Sequence, residues 1–153
     1  MRSHVLRGLV LMAAVCFCLA SRPALAEDVD AMLKETGYNY TTHNATTWSL
    51  ELSRKNTGKV RVILSTGSDI LVTFIILAKK AEIAKTPQMM DALLTANNDY
   101  DYCKIGLDKD GDLFVRVDSL MRTLDGPALK QTIDQVANAS DELYPKIKTW
   151  IKK

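Results

Sequence analysis

The sequence predicts an α+β fold built on one antiparallel sheet, and three observations lead to it. From Tyr38 to Leu77, apolar and polar residues alternate with the two-residue period of a strand. Turn signals at Asn44-Ala45, Asn56-Thr57-Gly58 and Thr66-Gly67-Ser68-Asp69 punctuate that stretch, so that successive strands fold back as a meander. From Asp125 to Trp150 the period changes to about 3.6, which makes the C-terminus a long amphipathic helix. The expected order is α-β-β-β-β-α-β-β-α.

The first 26 residues stand apart. Arg2 and Arg7 precede an uncharged run, Gly8 to Ala20. Export signals use a core of roughly 7–15 residues, whereas a bilayer span takes about 20, so the run suits export and not a membrane span. Ala24-Leu25-Ala26 supplies small residues before a cleavage point at Glu27. Residues 1–26 are therefore expected to be a signal peptide, and 27–153 one domain delivered to the periplasm or beyond. Cys16 and Cys18 do not make a lipid-attachment site, because Val15 and Phe17 occupy the preceding places where small residues are needed.

All 18 acidic residues of the chain lie beyond that leader, as do all but three of its 20 basic ones. The domain is thus close to neutral and has no general attraction for nucleic acid or anionic lipid. Its lone cysteine, Cys103, and lone histidine, His43, provide neither an internal disulfide nor a usual zinc site.

Within the domain, Glu27 to Thr36 reads as a short helix. Val29, Met32 and Leu33 share one face, acids occupy the first turn, and Gly37 closes it. Tyr38–His43 alternates aromatic with polar residues, Trp48, Leu50 and Leu52 mark a second strand, and Val60, Val62 and Leu64 a third. Thr86-Pro87 opens a second helix with a hydroxyl cap and a proline, Met90, Leu93 and Leu94 make its apolar face, and Asn97-Asn98 stop it. Tyr102–Leu107 and Leu113–Asp118 form a hairpin around Asp108-Lys109-Asp110-Gly111. The last helix carries Leu129, Ile133, Val136, Leu143, Ile147, Trp150 and Ile151 on one stripe. Pro145 lies inside it and crowds the carbonyl of Asp141, so a kink or break is expected there.

No reaction can be read from these residues. Asp108, Asp110 and Asp112 resemble the start of a calcium loop, but Leu113 and Ser119 stand where it needs glycine and a bidentate glutamate, so the stretch reads as a turn. Cys103 alternates with Lys104 and shares a face with Ile105 and Leu107, as a buried thiol would. His43 has no acidic or thiol neighbour at a motif spacing and reads as an exposed strand end. Lys79-Lys80 and Lys152-Lys153 read as solvated element ends, and Trp48 and Trp150 as core. Hydrolase, dinucleotide and phosphate-loop motifs are absent, so neither catalytic residues nor a cofactor is expected.

Ile70-Leu71-Val72-Thr73-Phe74-Ile75-Ile76-Leu77 is the most informative segment. A strand with one hydroxyl and no charge must be covered on both faces. If helices cover only one face, the row Ile70, Val72, Phe74 and Ile76, or else Leu71, Ile75 and Leu77, becomes an apolar patch that marks an interface. The expectation favoured is a homodimer with Ile70, Val72, Phe74 and Ile76 as candidate partner-binding residues; burial by the chain's own helices is the alternative.

With these elements in order, the chain resembles the YbjN-domain family of bacterial proteins, whose fold looks like that of type III secretion chaperones. The resemblance rests on Gly37–Tyr40 (GYNY), Ile70–Lys80 (ILVTFIILAKK), Thr86–Asp118 (TPQMMDALLTANNDYDYCKIGLDKDGDLFVRVD) and Ala139–Trp150 (ASDELYPKIKTW). It implies a non-enzymatic module that binds a protein or peptide partner, often as a dimer and without a cofactor. Secretion chaperones are cytoplasmic whereas this leader signals export, so only the binding fold is carried over. Two other readings stay open: a carrier of a small apolar ligand between sheet and helix, and a small hydrolase with unmarked carboxylates.

Overall fold

The computed structural model describes residues 24–152. The expected signal peptide lies outside them except for its last residues, which begin helix α1 (Ala24–Thr36) ahead of Glu27. Strands β1 (Tyr40–Asn44), β2 (Thr47–Arg54), β3 (Gly58–Gly67) and β4 (Ile70–Ala78) follow as a meander. Helix α2 (Pro87–Asp99) then leads to β5 (Lys104–Leu107), β6 (Leu113–Leu120) and the long helix α3 (Gly126–Ile147). The six strands form one sheet of order β1-β2-β3-β4-β6-β5, antiparallel at every pairing. The predicted element order is the observed one.

Alternation places Trp48, Leu50, Val62, Leu64, Leu71, Ile75, Val115 and Val117 on the inner sheet face, all buried. Against them α3 lays Leu129, Ile133, Val136, Leu143 and Ile147, also buried. Helix α1 packs beside α3, inserting Val29, Met32 and Leu33, and α2 covers β5. Gly126 makes the first of these contacts possible. A Cβ there would lie 2.6 Å from the Cβ of Glu35, so only glycine lets α1 approach the start of α3 this closely.

Side chains of α1 also tie the sheet. Asp30 accepts a hydrogen bond from the Trp48 indole N–H at 2.9 Å, which satisfies the polar edge of a fully buried ring. Asp134 of α3 accepts from Tyr38 Oη at 2.7 Å and pairs with Arg54 at 3.1 Å.

Pro145 does not end α3. The helix continues to Ile147 and there tightens into a 3-10 turn, Lys148–Trp150. The carbonyl of Asp141, deprived of its helical donor by the proline, accepts from Asn56 Nδ2 at 3.0 Å. Helix α2 turns out differently phased from the sequence expectation. Its buried face is Met89, Leu93 and Ala96, while Leu94 is 68% exposed. Asn97 does not stop the helix. Its side chain donates to the Ile105 carbonyl at 2.6 Å and accepts from the Ile105 N–H at 2.8 Å, pinning β5 to α2. Trp150, expected in the core, is half-buried at its edge.

Candidate functional site

The helices described here all lie on the inner side of the sheet, so the outer side has no cover among the described residues. The alternative expectation, that the chain's own helices cover both faces of β4, is therefore corrected: they seal one face and leave the other open. Leu71, Thr73 and Ile75 point inward and are buried. Val72, Phe74 and Ile76 on the open row are half-buried, and Ile70 is 40% exposed. The four candidate residues thus share the open face.

Register widens this row into a patch. Phe74 sits between Ile63 of β3 and Arg116 of β6, Ile76 lies beside Phe114, and Ile70 beside Leu120, which is 44% exposed. Charged groups flank the apolar strip on both sides. Toward β2, Lys59 and Arg61 share the carboxylate of Glu51, whose pKa these two donors hold below the usual carboxylate range. Toward β5, Asp118 pairs with Lys104 at 2.6 Å and with Arg116 at 3.3 Å. The Arg116 guanidinium lies 5.2 Å from the centre of the Phe114 ring. The Arg116 Nε and Asp118 Oδ1 are buried, yet their contact lacks the direction of a hydrogen bond, so the pair remains under-satisfied.

The other candidate residues have structural roles. Burial pushes the Cys103 thiol up to about 11, which disfavours the thiolate that a nucleophile needs. His43 is exposed and exchanges a hydrogen bond with Ser49 Oγ at 2.8 Å. Asp108 accepts from the backbone N–H groups of Asp110 and Asp112, both at 2.9 Å, and Gly111 adopts φ +87°, completing the predicted turn. Asp112 pairs with Lys79, which together with the Lys80 N–H holds the carboxyl below its usual range. No group of three or more metal-ligating side chains occurs among the described residues, and no helix there is long and apolar enough to cross a membrane.

Two open grooves stand out. One of about 670 Å³ lies between α1 and the start of α3, with Asp28, Glu35, Asp69 and Asp125 on its walls beside Met32, Leu124 and Arg122. Two of its carboxylates meet the start of α3: Asp125 caps that helix by accepting from the Ala128 N–H, and Glu35 of α1 lies against Gly126. The other, of about 600 Å³, opens between β3 and β4 beside the apolar patch. Its walls include Ile63, Ile76 and Leu77, and Tyr144 of α3.

Comparison with known proteins agrees with this architecture. The SpcU–ExoU heterodimeric complex from the type III secretion system of Pseudomonas aeruginosa contains a chain with 14% identity and a TM-score of 0.55 to this one, over 80% of this chain and 97% of that one. The HopA1–SchA chaperone-effector complex contains another, with 15% identity, a TM-score of 0.50 and coverage of 82% and 94%. At these identities the likeness is one of fold. Comparison with curated protein sequences returns no significant match. The YbjN family model, described as "Putative bacterial sensory transduction regulator", matches residues 25–149, and the chain belongs to that family.

Proposed function

We infer that this chain is an exported, non-enzymatic protein-binding module, chaperone-like or regulatory, that pairs with a second copy of itself through the open face of its sheet. The observation that carries this reading is the uncovered row Ile70, Val72, Phe74 and Ile76, widened by Ile63, Phe114 and Leu120. Full burial of such a side chain is worth about 1.5–3 kcal/mol, so a handful of them sealed together offsets the cost of association. The arrangement suits a two-fold contact. An apolar strip with ion pairs on both flanks can meet its own rotated copy, apolar against apolar and charge against charge. The solved complexes with the same fold support binding of a protein partner.

Export rests on the leader. N-terminal sequencing of the chain recovered from the envelope or the medium of its own cells is expected to begin at Glu27. Retention in the cytoplasm with Met1 intact would contradict export while leaving the binding face untouched.

A further inference from the structure

Strands β3 and β4 pair from Gly67–Ile70 at their turn only as far as Ile63–Phe74. Both continue well past that point, yet the ladder between them stops. Beyond it, β3 is held only by β2, through Arg61–Glu51 and on to Gly58–Arg54, and β4 only by β6. A bulge explains the parting. Between Ile76 and Ala78 the register of β4 on β6 slips by one residue, and a bulged strand bends.

The parting leaves backbone groups without a strand partner. Along a strand, successive N–H and C=O groups point to alternate sides. The Thr66 N–H donates to the Thr46 carbonyl, on the β2 side, so Ser65, Ile63, Arg61 and Lys59 direct theirs toward β4. By the Ile63–Phe74 register, Phe74 and Ile76 face β3. Arg61 and Ile76 therefore point their main-chain groups into the groove of about 600 Å³ and find no ladder partner across it. Tyr144 closes the back of the groove, and Ile63, Ile76 and Leu77 give it apolar walls. Its rim carries Lys79, which pairs with Asp112, and the cations Lys59 and Arg61, which share the single carboxylate of Glu51 and so exceed it by one charge.

We propose that the groove where β3 and β4 part is a binding slot for an extended acidic peptide segment of a protein partner. The peptide main chain pairs with the free groups of Arg61 and Ile76, alternate side chains rest on Tyr144 and Ile63, and an acidic side chain takes up the shared cations Lys59 and Arg61. This rests on the reading of the chain as a protein-binding module; the slot shares Ile63 and Ile76 with the edge of the face assigned to self-pairing but receives its peptide in the gap between the two strands.

The test combines residue-resolved amide exchange with fluorescence anisotropy on residues 27–153. The probes are a fluorescein-labelled octapeptide alternating valine and glutamate, and its valine–lysine counterpart. In the free protein the Arg61 and Ile76 amides are expected to exchange faster than those of Ile63 and Phe74. The glutamate peptide slows them, and the lysine peptide binds at least about tenfold more weakly. Lys59→Glu with Arg61→Glu reverses that preference. Equal protection of all four amides in the free protein, equal affinity for the two peptides, or no binding of the glutamate peptide would overturn the slot. A dimer that binds neither peptide overturns the slot alone; a monomer that binds the glutamate peptide overturns the self-pairing alone.

Discussion

Asp141 joins the β2–β3 turn to the far end of α3. Its carboxylate accepts from the N–H groups of Asn56 and Thr57 at 2.7 and 2.8 Å and from the Thr57 hydroxyl at 2.9 Å. Burial would raise its pKa, but these hydrogen bonds outweigh burial and hold it below the usual carboxylate range. A depressed folded pKa contributes stability that is full above the unfolded value and is lost as pH falls through the folded one. Asp141→Asn should therefore lower the urea midpoint at neutral pH, and the gap to wild type should close as the medium is acidified past the ordinary carboxylate range. A gap that stays constant with pH would mean that the charge is idle. Thr73 and Ser140 raise the opposite case. Both hydroxyls are fully buried in the core and have no hydrogen-bond partner. Leaving a hydroxyl so costs about 1–3 kcal/mol, so Thr73→Val should stabilise by about 1 kcal/mol in urea unfolding. Ser140→Ala should leave stability unchanged or raise it.

Between elements, the tightest dependence is that of α3 on α1. Gly126→Ala pushes a methyl group against Glu35 and should cost about 1–3 kcal/mol by forcing the helices apart; a thermal melt indistinguishable from wild type would show that the contact yields freely. At this scale much was legible in the sequence. The β-meander followed from the period-two alternation and from turns rich in Asn, Gly and Asp, and α3 from one long stripe. The phase of α2 was not, because Met89 and Met90, like Leu93 and Leu94, are adjacent and equally apolar. Only the position of β5 selects Met89, Leu93 and Ala96. Asn97 has the chemistry of a helix end and is instead used as a tertiary clamp on Ile105. Asn56, which satisfies the carbonyl freed by Pro145, is distant in the chain and gave no local signal.

For the molecule as a whole, the sequence identified the strand that matters but left two ways of covering its second face. A charge-free β4 is as compatible with burial between two layers of helix as with a face left for a partner. The packing of α1 and α2 around α3 on a single side decides between them. The groove between β3 and β4 had no sequence signature, since the ladder's early end depends on a bulge opposite Phe114 and Leu113. Self-pairing through the open sheet face is tested most directly by light scattering of residues 27–153 beside a Phe74→Glu variant. Phe74 points away from the core, so the variant should keep its helical signal and thermal midpoint within about 1 kcal/mol of stability. The prediction is a mass twice that of one chain for wild type, and the single-chain mass for the variant. A wild-type protein that stays at the single-chain mass across concentration, or a Phe74→Glu protein that remains paired, would contradict it.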